Sequence, residues 1–173
     1  MSELAQKHSQ IRSMVYSDLE LVLSWRNHPD VRHYMYTQHE ITPDEHRYWF
    51  ESAKSDKKRH LLIFELAYHP YGFVHFTETG KGGVADWGFY AKPEAAKGSS
   101  RELGSAALSH AFTKLQLHKV CGQALAYNER SINFHLALGF QQEGILRDQH
   151  FDGERYHHIN CFGLLRGEWH LDK

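Results

Sequence analysis

Lys97-Gly98-Ser99-Ser100, running into Leu103-Gly104-Ser105-Ala106-Ala107-Leu108-Ser109-His110-Ala111-Phe112, is the stretch that decides how this chain folds. Its first four positions are small or flexible, so the backbone can turn there and aim several N–H groups at one point. The remainder repeats Leu103, Ala107, Leu108, Ala111, Phe112 and Leu115 at helical spacing, which marks a helix with one apolar face. Upstream lies the β-branched and aromatic run Val84 to Ala91, and downstream, past Leu117-His118-Lys119, the run Val120 to Tyr127. Strand, small-residue loop, half-buried helix and second strand form the nucleus from which the rest is read.

Toward the N-terminus, Tyr71 to Thr79 and Arg59 to Ala67 carry strand signals, and Gly80-Lys81-Gly82-Gly83 predicts an antiparallel hairpin into Val84. The charged stretch Lys54 to Arg59 reads as a solvated loop. Before it, Thr42-Pro43-Asp44-Glu45 has capping-box spacing with proline at the first helical position, where its missing N–H costs nothing. Ser17-Asp18-Leu19-Glu20 has the same spacing and predicts a helix that ends near His28-Pro29. A short strand is expected at Ile11 to Val15. Toward the C-terminus, Asn128 reads as the cap of a helix that turns Ile132, Leu136 and Leu138 inward and stops at Gly139. Two last strands, Ile145 to Phe151 and Tyr156 to Leu165, flank the turn Asp152-Gly153. The expectation is one α/β (α+β) domain over residues 1–173, its core at 11–169, with a mixed, largely antiparallel sheet of about seven strands and about four helices.

Composition narrows the function. Twenty basic against twenty-one acidic side chains give a net charge of −1, which argues against a dedicated nucleic-acid binder. The longest aliphatic and aromatic run, Leu61 to Phe64, is far too short to span a membrane, and the opening MSELAQKHSQ has no apolar leader, so a cytoplasmic protein is expected. The two cysteines, Cys121 and Cys161, show no metal-ribbon or disulfide spacing. Fifteen histidines are the unusual count. Adjacent His157 and His158 point to opposite faces of a strand and cannot easily ligate together, so no metal site is expected.

The ordered set Lys97-Gly98-Ser99-Ser100, Leu115-Gln116-Leu117-His118-Lys119-Val120, Asn128-Glu129-Arg130-Ser131 and Leu138-Gly139-Phe140 with Glu143-Gly144 resembles the GNAT superfamily of acetyl-CoA-dependent N-acetyltransferases. The resemblance runs from about Ile11 to Trp169. It implies acetyl-CoA as cosubstrate, with pyrophosphate at Lys97, Gly98, Ser99 and Ser100. It implies acetyl-pantetheine along the backbone of Phe89, Tyr90 and Ala91, where this strand splays from the next, and Asn128 and Ser131 beside the pantetheine arm. The loop register follows the distance to Leu117-His118-Lys119-Val120. A rival letter match at Arg101-Glu102-Leu103-Gly104-Ser105-Ala106 falls inside the helical pattern. Trp25-Arg26-Asn27-His28-Pro29, Met35-Tyr36, Ile41 and Glu45-His46 further resemble the N-acetyltransferases of the pseudaminic acid pathway, which acetylate the 4-amino group of a UDP-linked amino-dideoxy sugar.

For that chemistry the resemblance puts His135 where most family members carry the tyrosine that protonates the leaving thiolate. The alternative for His135 is packing inside a helix. His75 and Thr77 share one strand face, which makes His75 the expected general base and Thr77 a substrate contact. Its alternative is a hydrogen-bonded core histidine. Asp86 and Gln123, on flanking strands, are weaker candidates for polarising water. A UDP-sugar needs donors for its diphosphate, for which Arg26 and His46 are expected, and apolar walls, for which Met35, Tyr36, Trp49 and Tyr90 are expected. The partner is thus a small nucleotide-sugar molecule. A homodimer is compatible with the resemblance. Two alternatives stay open: acetylation of ribosomal-protein or peptide N-termini, and a CoA-binding module without catalysis.

Overall fold

The protein is described here by a computed structural model, covering residues 8–96 and 98–170. Seven strands form one sheet in the order β1-β2-β3-β4-β5-β7-β6: β1 (Ser9–Ser13), β2 (Arg59–Leu66), β3 (His69–Glu78), β4 (Val84–Ala91), β5 (Lys119–Leu125), β6 (Gln141–Phe151) and β7 (Tyr156–Leu165). Every neighbouring pair is antiparallel except β4 and β5, which run parallel. The helices are α1 (Leu19–Asn27), α2 (Pro29–Arg32), α3 (Pro43–Ser55), α4 (Ser99–Thr113) and α5 (Glu129–Ala137). This is the expected mixed, largely antiparallel α/β arrangement, with one helix more than expected: Pro29 ends α1 and at once opens the single turn of α2.

Alternation along the strands sorts the core into two layers. Leu62, Phe64, Val74, Phe76, Trp87 and Phe162 face α4 and α5, together with Leu103, Ala107 and Leu108 of α4 itself. On the other face Ile63 and Phe73 meet Val22 and Trp25 of α1 and Phe50 of α3. Each large side chain withdrawn from water in this way stabilises the fold by about 1.5–3 kcal/mol. Because Phe73 belongs to the second layer, His75 and Thr77, at positions i+2 and i+4, point to the α1/α3 side.

Of the two capping boxes read from sequence, the second forms: Thr42 Oγ1 accepts from Glu45 N–H (3.2 Å) and Glu45 Oε2 accepts from Thr42 N–H (2.7 Å). The first does not. Its place is taken by buried Asp18, whose carboxylate accepts from Val15 N–H (2.8 Å) and pairs with Arg12 through both oxygens (2.8 and 2.9 Å). That ion pair outcompetes a solvated Ser17–Glu20 cap, since a buried carboxylate demands a partner.

The β4–β5 junction is short. Only Val84, Ala85 and Asp86 pair with Lys119, Val120 and Cys121, after which the strands separate. From Trp87 onward the β4 backbone has one edge without a ladder toward β5.

Candidate active site

On the α1/α3 side a cavity of about 290 Å³ is floored by Phe73, His75, Thr77 and Tyr90 of the sheet. Arg26 of α1, Met35 and Ile41 of the connecting segment, and Glu45, His46 and Trp49 of α3 roof it, and Arg59 of β2 completes the lining. Two segments of the roof are tied to each other by a reciprocal pair: Asn27 Nδ2 donates to the Ile41 carbonyl and Ile41 N–H donates to Asn27 Oδ1, both 2.8 Å. The sheet therefore supplies the floor and residues 19–55 the walls. The structure brings Arg26, Met35, His46, Trp49, Thr77 and Tyr90 together with His75, as the expected set requires.

Tyr36 lies elsewhere. Its hydroxyl donates to Gln123 Oε1 (2.7 Å) at the β4–β5 opening, its ring sits 5.4 Å from His150, and burial pushes its pKa up to about 12. Gln123 is thereby engaged, and Asp86 is exposed outside the cavity lining. Ile41, Glu45, Phe73 and Arg59 line the cavity without having been expected there. Arg59 ends a charged run, which hid it. The informative signal was its place as the first residue of a strand, cross-strand from Thr77.

The cavity is rich in cationic and imidazole groups. Arg26 Nη2 donates to the Thr37 carbonyl (2.6 Å), while Nη1 is buried with no partner among the described residues. His46 stacks on Trp49 (5.0 Å, 18°), is bonded to the Leu19 backbone, and leaves Nε2 buried and unpartnered. Burial, and secondarily Arg26, lower its pKa, so it is neutral near pH 7. The carboxylate of Glu45 is occupied by its helix cap and by His39 (3.3 Å), and the Thr42 backbone bond holds its pKa below the usual range. Burial raises the Tyr90 phenol.

His75 sits over Gly88, its cross-strand neighbour on β4, and a methyl group at Gly88 would overlap the imidazole. No described residue hydrogen-bonds its ring, and burial, then the Arg59 charge, push its pKa down to about 4. It is an unengaged neutral base facing a cavity.

His135 is arranged in the opposite way. It is 1% exposed on the α4/α5 side and stacks on Phe162 (4.8 Å, 10°). Trp87 Nε1–H donates to its Nε2 (3.1 Å), and its Nδ1–H donates to the Ser131 carbonyl (2.8 Å). Both ring nitrogens are in use, so in this arrangement the ring has no proton to offer a thiolate. This corrects the proton-donor expectation in favour of the packing alternative, because burial demands that both nitrogens be satisfied.

The described residues expected at the cofactor come from β4 and from the starts of α4 and α5. Phe89, Tyr90 and Ala91 pair with β3 on one side and leave their other edge toward β5. Gly98, at φ 88°, caps α4 in the left-handed region and contributes no side chain, which leaves the first turn of the helix without a side-chain cap. Ser99 is buried, its hydroxyl donating to the Ala96 carbonyl, and Ser100 follows in the first turn of α4. Lys97 lies outside the described residues. The rival segment Arg101 to Ala106 lies within α4, where Gly104 is a packing residue facing Phe134 and Leu138. Asn128 caps α5 through Oδ1 to Ser131 N–H (3.1 Å). An unladdered strand edge leading toward an uncapped helix start fits an extended thioester with a diphosphate at one end.

A family model described as an acetyltransferase (GNAT) domain matches residues 10–141. The chain is 34% identical over 130 residues to the SPbeta prophage-derived uncharacterized N-acetyltransferase YokL of Bacillus subtilis, covering 73% of this chain and 72% of that protein. It is 27% identical over 121 residues to the acetyltransferase PseH of Campylobacter jejuni, covering 68% and 73% respectively. Among solved structures, spermidine N-acetyltransferase from Vibrio cholerae in complex with CoA and spermine superposes with a TM-score of 0.85 at 23% identity, over 92% of this chain and 96% of that one.

Proposed function

The chain belongs to the GNAT acetyltransferase family, and on that premise we propose that it acetylates the 4-amino group of a UDP-linked amino-dideoxy sugar, as in pseudaminic acid biosynthesis. That it is an N-acetyltransferase follows from the family and its named relatives. The choice of acceptor is the proposal. One observation carries it: the cavity holds Arg26 with an unpartnered buried N–H, and its one lining carboxylate, Glu45, is already committed. A polyamine is a polycation and needs free carboxylates, whereas a nucleotide sugar needs donors for phosphate and flat apolar walls. Trp49, Met35 and Tyr90 supply the walls. The relationship to PseH and the sequence resemblance at residues 25–46 favour the same acceptor.

In this reading acetyl-CoA, held along the β4 edge and at Gly98, supplies the acetyl group as a thioester. Arg26 anchors the acceptor diphosphate. His46, with Nε2 unprotonated, accepts a hydrogen bond from an acceptor hydroxyl or N–H. The amine nitrogen bonds to the acetyl carbonyl carbon as the carbon–sulfur bond breaks, and His75 takes the amine proton directly or through water. CoA leaves as a thiolate that takes its proton from solvent, so no acyl-enzyme is needed. The test is CoA release with three acceptors. Release with the UDP-amino-sugar, and none with spermidine or N-terminal peptides, supports the reading; release with either of the latter alone overturns it.

A further inference from the structure

We propose that Arg59 is a specificity-determining residue that grips the acceptor diphosphate jointly with Arg26, so that the anion lies between roof and floor. The inference rests on the nucleotide-sugar reading and adds to it a residue that neither the family resemblance nor the capping and strand patterns pointed to.

The cavity is lined by two arginines. Arg26 from α1 stands near His46 and Tyr90, and its charge acts on both. Arg59 from β2 stands with His75 and Thr77. Arg59 and Thr77 are cross-strand partners, so a guanidinium fork and a hydroxyl converge on the same space. That donor set matches phosphate oxygens, which accept two parallel N–H bonds.

The neighbouring carboxylates do not neutralise Arg59. Its side chain makes no ion pair or hydrogen bond with any described residue. Glu78, one position beyond Thr77, is engaged by His60 (3.4 Å). Asp86 lies on the row Arg59–Thr77–Asp86 two strands away, and it is exposed and beyond ion-pair distance. A half-buried cation without a counter-charge, beside an unbonded imidazole, has its donors free for a ligand anion. An anion bound there also cancels the positive field next to His75, so the base gains proton affinity when the acceptor is in place.

The experiment is a calorimetric titration of the protein with UDP, with CoA at saturation so that the cofactor site cannot take up the nucleotide. Wild-type protein binds UDP, and Arg59→Gln weakens binding by about tenfold to a hundredfold, the range for losing one charge-assisted contact. Arg59→Lys, which keeps the charge but not the fork, lies between the two. The same order holds for KM of the UDP-amino-sugar, while KM for acetyl-CoA stays put. Equal UDP affinity in wild type and Arg59→Gln overturns the role of Arg59 and leaves the acceptor reading intact. Should Arg59→Gln fail to fold, equal affinity in wild type and Arg59→Lys has the same force. Absence of UDP binding by wild type, together with no turnover of the UDP-amino-sugar, overturns the acceptor reading itself.

Discussion

His75 and His135 make the same local arrangement on opposite faces of one sheet, and they end with opposite properties. Each imidazole rests over a glycine of a central strand, Gly88 for His75 and Gly122 for His135, where any Cβ would collide with the ring. On the α4/α5 face the space around the ring is filled by Trp87, Phe140 and Phe162, and both nitrogens are bonded. On the α1/α3 face the ring borders a cavity and its nitrogens have no described partner. Burial lowers the pKa of both. The difference lies in what remains unsatisfied: a ring with both nitrogens bonded is committed to packing, and one left unbonded beside a cavity is free to act on a ligand, the role proposed for His75.

The largest effect that can break this comparison is on turnover. His75→Asn is expected to lower kcat by about 10²–10⁴-fold, the usual contribution of a general base, with little change in thermal midpoint. Unaltered steady-state rates would make His75 as structural as His135.

Acid should reveal the cost of keeping His75 neutral. Its pKa falls from 6.5 to about 4 on folding, so the unfolded chain binds the proton more tightly between those values. Stability is complete above pH 6.5 and declines as pH drops through that window, by roughly 3 kcal/mol from this residue. The lowered His135 and His46 act in the same direction. Denaturant melts from pH 7 to 4 measure this, and His75→Asn should flatten the slope. A slope identical to wild type would contradict the assignment.

The smallest and most discriminating effect comes from applying one insult to both faces. Gly122→Ala forces a methyl into Trp87 and His135 and should cost about 1–3 kcal/mol of stability by overpacking, with kcat per folded molecule preserved. Gly88→Ala displaces His75 into the open cavity, so it should spare stability and reduce kcat. A reversed pattern in paired melting and rate measurements would erase the distinction between the faces.

Much of the fold is legible in the order of the amino acids. The strands Val84–Ala91 and Tyr156–Leu165 have the expected ends, because β-branched and aromatic runs there stop at clear turn residues. The box at Thr42 is local chemistry and formed as read, whereas the one at Ser17 lost to an ion pair between Asp18, Arg12 and Glu65, a long-range arrangement that spacing does not encode. The floor of the site was legible through the period-2 rule that joins His75 to Thr77. Arg59 was not, since a cation closing a charged run looks the same whether it faces water or a cavity. Nor could periodicity separate His135 from His75. Their difference is written in Trp87 and Gly122, residues distant in sequence.

The reciprocal pair between Asn27 and Ile41 makes the cavity wall a unit of its own. Two hydrogen bonds tie the end of α1 to the segment that precedes α3, both inside residues 19–55, while Val22, Trp25 and Phe50 seat that unit on Ile63 and Phe73 of the sheet. Such a unit can be exchanged as a whole, and on the proposed function the exchange would alter the Arg26 and His46 contacts to the acceptor but leave those of Arg59 and Thr77. A graft of residues 19–55 onto a relative with another acceptor should therefore shift substrate preference only in part unless Arg59 travels with it.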